Sequence, residues 1–209
     1  MNQSQFQAAA GISAELAARW YPHITAAMTK FGITKTEDQA MFIAQVAHES
    51  AGFSSITESF NYSVQALIQL FVPNHLSMDQ AKSLGRQVGE KVVPPVRQTA
   101  IANLVYHGRY GNKAPGDGWK YRGQGLIQTT FLDNYLACGK AIGVELVATP
   151  ELLEQPSNAA LSAAWFYTSR GCLRYSGNVA VISQLINGGN NGLADRTARY
   201  QTALKALTA

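Results

Sequence analysis

The chain predicts a mostly helical fold, and three observations carry that reading. Helix-capping patterns recur along it, apolar residues between them repeat at three- and four-residue spacing, and strand-like alternation is scarce. With 209 residues, 46% of them hydrophobic, the chain can bury one large core. Residues 1–209 are therefore expected to form a single domain with no separate binding module.

Ser13 is placed to cap a first helix running toward Lys30, with Gly32 as its stop and Pro22 expected to kink or interrupt it. Thr36-Glu37-Asp38-Gln39 reads as a capping box whose acids complement the helix dipole, and Gly52 closes that helix. Ser54 to Tyr62 is the one stretch that admits a short hairpin. Ser77-Met78-Asp79-Gln80 is a second capping box, its helix ending at Gly89 or Pro94-Pro95. Val96, Ala100, Ile101, Leu104 and Val105 mark the next helix. Later helices carry Ala160, Leu161, Ala164 and Trp165 after Pro156, then Val179, Ile182, Leu185 and Ile186, and a last one from Asp195 onward. Two Gly-rich segments, 108–125 and 188–192, interrupt the helices, and long loops in compact domains tend to carry function.

Only 14% of the residues are charged, with a net charge of +4 and a pI near 9.1. That balance suits contact with an anionic envelope polymer or nucleic acid. The absence of any run of five or six Lys or Arg argues against a nucleic-acid groove. No cationic leader precedes an apolar core, so no signal peptide is read, and no uninterrupted apolar run of about 18 residues marks a membrane span. Cys138 and Cys172 are expected as buried reduced thiols, with a disulfide left open.

The chemistry centres on two carboxylates. Phe42, Val46 and Glu49 share a helical stripe, so an acid sits where an apolar residue ordinarily would. The helix C-terminus and partial burial both disfavour its charged form, as a general acid near neutral pH requires. A structural Glu paired with Arg or Lys gives the same pattern, so position alone leaves both roles open. Glu58 lies among Ser, Thr and Asn, neighbours able to hydrogen-bond an ionised carboxylate, and a solvated loop acid reads equally well. Such a pair in contrasting surroundings is what glycosidic-bond hydrolysis uses as acid and base.

Other chemistries find less support. His48-Glu49 lacks the second His that a helical zinc motif places four residues on, since Gly52 stands there, and no metal or cofactor is expected. No nucleophile elbow occurs, and Gly123-Gln124-Gly125 lacks the third glycine of a dinucleotide fingerprint. Thr130 could hold a water, though capping a helix from Phe131 is the simpler reading. Tyr62, Tyr121, Trp119 and Trp165 could present flat faces to sugar rings, with core packing favoured for Trp165.

Four blocks then point one way: 42–50 with His48-Glu49, 58–63 with Glu58 and Tyr62, 121–130 with Asn134-Tyr135, and Ile186-Asn187-Gly188-Gly189 followed by Asp195-Arg196. In this order they resemble glycoside hydrolase family 19, the chitinase-like group with a lysozyme-like fold, and within it the bacteriophage endolysins of Gram-negative hosts. The resemblance implies a mostly α, lysozyme-like catalytic domain in which 63–108 forms a smaller helical lobe bordering a cleft. It implies that Glu49 is the proton-donating acid, that Glu58 is the base activating water, and that Thr130 helps hold that water. His48, Tyr62, Tyr121, Gln128, Asn134, Asn187 and Arg196 match substrate-binding or neighbouring positions. Inversion of stereochemistry is implied, with carboxylates roughly 6.5–9.5 Å apart.

Two departures stand out. The glutamates are much closer in sequence than in plant chitinases, and Gln124 replaces an Arg that is usual after Gly123. The activity implied is hydrolysis of the β-1,4 bond between MurNAc and GlcNAc of peptidoglycan, leading to host lysis. The enzyme would be a monomer acting on glycan strands, held in the host cytoplasm until its release to the periplasm. A chitinase, a catalytically silent glycan-binding protein on the same scaffold, and a nucleic-acid binder are the alternatives.

Overall fold

The computed structural model describes residues 1–209 as an all-helical chain with no named strand. Its helices are α1 (Gln3–Ala10), α2 (Ala14–Lys30), α3 (Thr36–Glu49), α4 (Val64–Phe71), α5 (Met78–Leu84), α6 (Pro95–Tyr106), α7 (Asp117–Lys120), α8 (Leu132–Ile142), α9 (Pro156–Ser169), α10 (Val179–Asn187) and α11 (Leu193–Thr208). Short 3-10 turns at Pro150–Glu154 and Cys172–Tyr175 flank α9. No helix is long and apolar enough to cross a membrane.

Local chemistry explains most boundaries. Ser13 accepts from the Leu16 N–H at 3.2 Å to start α2, and Ser77 and Gln80 form the reciprocal capping box of α5. Pro95 opens α6 and Pro156 opens α9, each at the first turn, where no N–H partner is lost. α2 runs unbroken through Pro22, contrary to expectation. The ring lies on the exposed face, where water can satisfy the carbonyl left without a donor. α3 begins one residue earlier than its capping box implies: Lys35 is the N-cap and makes no side-chain cap bond. α1 had no counterpart in the sequence reading, yet Asn2 and Gln5 form a reciprocal capping box at its start.

The hairpin expected between Ser54 and Tyr62 does not form. The Ser54 and Ser55 N–H groups both donate to Ser50 O and the Tyr62 N–H to Phe60 O, while Ile56 O accepts the Gly125 N–H and the Glu58 N–H donates to Gly123 O, so the extended part of this stretch pairs with residues 123–125 instead of folding back on itself.

The chain divides into two compact units. One comprises Met1–Ile56, Gln124–Gln128 and Cys138–Ala209; the other comprises Thr57–Gly123 and Thr129–Ala137. The stretch 63–108 lies within the second. In the first unit α3 packs against α11, α1 and α9, and α2 packs against α1 and α9. Its core gathers Phe6, Trp20, Ile24, Phe42, Val46, Phe53 and Tyr167. Residues 40–47 of α3 are all buried, so this helix is apolar nearly all round rather than striped. Trp165, expected in the core, is only half-buried, while its neighbour Phe166 packs against the cluster. Cys138 and Cys172 are buried free thiols, and burial pushes each up to about 12. The second unit has its own core of Phe60, Leu67, Leu76, Ala81, Val93, Ile101, Ala102 and Val105, around which α4, α5, α6 and α7 fold.

Candidate active site

Glu49 is the last residue of α3, and the backbone beyond it is tightly constrained. Ala51, Gly52 and Phe53 all take left-handed conformations, with φ of 49°, 71° and 63°. For the two non-glycine residues such conformations cost of order 1 kcal/mol or more each, and they persist only when surroundings impose them. Here the surroundings do. Ser50 Oγ donates to Val46 O at 2.7 Å and accepts the Phe53 N–H at 2.9 Å. The Phe53 ring meets Phe6 and Trp20, and Trp20 Nε1 donates to Phe53 O at 3.0 Å. The core thereby holds the turn that presents His48 and Glu49.

Both side chains are clasped by consecutive residues of α11. Arg196 donates to Glu49 Oε1 at 2.5 Å, to Gln45 Oε1 at 2.5 Å and to Asn191 O at 3.2 Å. Its side chain is 2% exposed against 22% for Glu49, so the carboxylate alone keeps access to solvent. Asp195 Oδ2 meets His48 Nδ1 at 2.7 Å and accepts from Arg199 Nε at 2.7 Å. The hydrogen bonds from His48 and then Arg199 hold the Asp195 carboxyl below its ordinary range. Gly192 precedes α11 with φ 72°, and a Cβ there would lie 2.3 Å from the His48 ring. Only glycine lets the backbone approach so closely.

Glu58 belongs to a second group. Its N–H donates to Gly123 O at 2.8 Å, and the Gly123 N–H returns a bond to Glu58 Oε2 at 2.9 Å. Tyr106, the last residue of α6, donates its hydroxyl to Glu58 Oε1 at 2.7 Å. Both oxygens are therefore satisfied, by a tyrosine and a backbone amide rather than by the Ser, Thr and Asn neighbours singled out in the sequence. Burial first, and then the Glu58 charge, push the Tyr106 phenol well above its ordinary value, so it remains a neutral donor. The same two causes raise Tyr62, whose ring lies 6.2 Å from Phe60 and 5.5 Å from Phe71. Phe60 also meets Tyr106 and Trp119, and the Arg122 guanidinium lies 4.2 Å above Trp119.

The remaining expected residues fall as follows. Thr130 O accepts from Asn134 Nδ2 at 2.8 Å, which brings these two together. Thr130 does not cap α8: Phe131 intervenes with φ 76°, and the Leu132 N–H goes to Asn112 Oδ1. Gln128, with φ 53°, folds back to donate to Gly125 O at 3.1 Å. Asn187 ends α10 and is exposed. Tyr121 is a correction to the sugar-platform reading: it is 3% exposed, packed at a 59° tilt against Tyr135 with the Lys120 ammonium 5.0 Å from its centroid, and has no open face. Gln124 is fully buried, and neither of its amide atoms has a protein partner.

Sequence reasoning missed Tyr106, Gly123 as a donor, Gln45 and Asp195 as a partner of His48. Asp195, Gln45 and Gly123 lie within the four blocks without having been given these roles, and Tyr106 lies outside them.

Comparison with known proteins gives the enzyme class, that of the glycoside hydrolases. A family model described as chitinase class I matches residues 99–205. A Haemophilus influenzae protein described as containing a glycosyl hydrolase family 19 domain is 36% identical over 186 residues, 88% of this chain and 87% of the relative. An Arabidopsis thaliana endochitinase is 34% identical over 93 residues, 42% of this chain, and the match spans only 34% of that enzyme. Among solved structures, chitinase C from Streptomyces griseus superposes with a TM-score of 0.65 at 21% identity, covering 100% of this chain and 76% of that one. The chain belongs to glycoside hydrolase family 19 and has the helical, lysozyme-like fold of its chitinases.

Proposed function

We propose that this chain hydrolyses the β-1,4 bond between MurNAc and GlcNAc of peptidoglycan, with inversion, and serves a bacteriophage as the endolysin that opens its host. The observation that carries the catalytic part is that each carboxylate is held in place by its own partners. The Arg196 guanidinium positions Glu49, whose side chain remains 22% exposed, while the Tyr106 hydroxyl and the Gly123 N–H hold Glu58. In this reading Glu49 protonates the leaving glycosidic oxygen and Glu58 takes a proton from water held with Thr130. That water attacks the opposite face of the ring. His48 and Arg196 support Glu49, while Tyr62, Gln128, Asn134 and Asn187 meet the sugars. The positive net charge supports the choice of an anionic envelope substrate. Release from the host cytoplasm to the periplasm would precede cutting.

Replacing Glu49 by Gln tests the assignment, because general acid catalysis contributes about 10²–10⁴-fold. Turnover of purified peptidoglycan is expected to fall by that factor while the variant still folds, with a lowered unfolding midpoint because the buried Arg196 guanidinium loses its carboxylate partner. Clearing of permeabilised cells by Glu49→Gln at close to the native rate would refute it. Mass analysis of the fragments reads the bond: reducing-end MurNAc marks muramidase action and reducing-end GlcNAc marks glucosaminidase action. Chitin hydrolysis is the second reading, favoured by the endochitinases among the relatives. Colloidal chitin offered beside peptidoglycan separates the two.

A further inference from the structure

The Glu58 group continues outward into an aromatic cluster that none of the reactions above uses. The Tyr106 ring lies 4.9 Å from Phe131, and Phe131 lies 5.0 Å from Tyr110. Arg109 sits over this pair, its guanidinium carbon 4.9 Å from the Phe131 centroid and 5.9 Å from that of Tyr106. Tyr110 is 63% exposed and holds φ 39°, a conformation that costs energy in a non-glycine residue. Two backbone bonds fix its loop: the Asn112 N–H donates to Arg109 O at 2.8 Å, and the Asp133 N–H to Tyr110 O at 3.1 Å.

Arg109 differs from the other arginines of the candidate site. Arg196 and Arg199 are ion-paired, whereas Arg109 has neither a carboxylate within 4.0 Å nor a hydrogen-bond acceptor in the protein. Aromatic faces hold the cation without engaging its N–H donors. Its charge acts on the Tyr106 phenol with the opposite sign to that of Glu58. A neutral chitin strand gives such a cation nothing to pair with. A strand bearing carboxylates would meet repulsion from Glu58, which a nearby guanidinium offsets.

We propose that Arg109, with Tyr110 and Phe131, forms a subsite for a carboxylate-bearing sugar unit of peptidoglycan, an inference that rests on the peptidoglycan reading. The guanidinium pairs with the carboxylate, and the exposed Tyr110 ring carries the apolar face of the sugar. The carboxylate is either the lactyl group of a peptide-free muramic acid or a free carboxyl of the stem peptide.

The test compares the native chain, Arg109→Gln and Arg109→Lys on intact peptidoglycan and on the same material with its carboxyls converted to amides. For Arg109→Gln, the ratio of kcat/KM on intact to amidated peptidoglycan is expected to fall about fivefold, mainly through KM, as for loss of one partly exposed ion pair. Arg109→Lys, which keeps the charge, is expected to recover part of the ratio. Glycan strands stripped of peptides identify the source: a persisting effect assigns the lactyl carboxylate, and its loss assigns the stem peptide. An unchanged ratio, or equal falls on both substrates, overturns the subsite while leaving the peptidoglycan reading intact. A native chain that cuts chitin oligosaccharides but no peptidoglycan overturns both.

Discussion

Replacing Arg196 by Met is the most direct probe of the Glu49 group, since Met keeps an unbranched side chain of similar length and removes every donor. Three acceptors lose their partner: Gln45 Oε1, Glu49 Oε1 and Asn191 O. Gln45 is fully buried, so its stranded carbonyl costs about 1–3 kcal/mol. Asn191 is exposed and turns to water, and Glu49, with 22% of its side chain exposed, recovers part of its solvation. The total, about 3 kcal/mol, falls at the lower end of the cost of breaking a buried ion pair by removing one partner. Denaturant unfolding of the native chain, Arg196→Met, Glu49→Gln and the double variant would measure it. The double variant is expected to cost less than the sum of the singles, by about 1 kcal/mol, because the two residues share one interaction. On the proposed role of Glu49, turnover of Arg196→Met is expected to drop about 10²-fold through misplacement of its carboxyl. A cost under about 1 kcal/mol together with near-native turnover would show that the clasp does not hold Glu49, and the reasoning would fail.

Three further outcomes are expected. Tyr106→Phe removes the hydroxyl that donates to Glu58 Oε1, so unfolding free energy falls by about 1.5 kcal/mol and turnover falls several-fold, whereas normal values for both would exclude support of Glu58 by this phenol. Asp195 is held below its ordinary value of 3.8, so its contribution to stability is present above that pH and disappears as the pH falls through the lowered folded value. Asp195→Asn should therefore flatten the acid limb of an unfolding-midpoint series taken from pH 6 to about 2, and an unchanged limb would contradict the pairing with His48. Both thiols are buried and pushed up to about 12, so they should resist a thiol-specific colour reagent at pH 8 in the native protein and react quickly in denaturant.

Legibility followed the range of each interaction. Caps and prolines act within a turn, and accordingly Ser13, Ser77 and Pro156 marked helix starts that the structure contains, whereas Pro95, read as a possible stop for α5, opens α6, and α5 already ends at Leu84. Thr36 misled by one position, because its hydroxyl lies inside the first turn of α3 and Lys35 stands at the boundary. The alternation near Ile56 suggested strands, but a strand needs a partner, and the turn after Glu49 draws the Ser54 and Ser55 amides back to Ser50. Tyr121 looked like an open ring because sequence carries no sign that Tyr135 covers it.

The sequence by itself marked most of the longer helices, through caps and prolines that act within a turn, and its four blocks carried the resemblance to the family to which the chain belongs. Tertiary structure alone decided what touches Glu49 and Glu58. Arg196 reaches Glu49 across 147 positions, while Tyr106 and Gly123 reach Glu58 across 48 and 65. Local propensity holds no record of such pairings, because they exist only once packing brings distant helix ends and loops together.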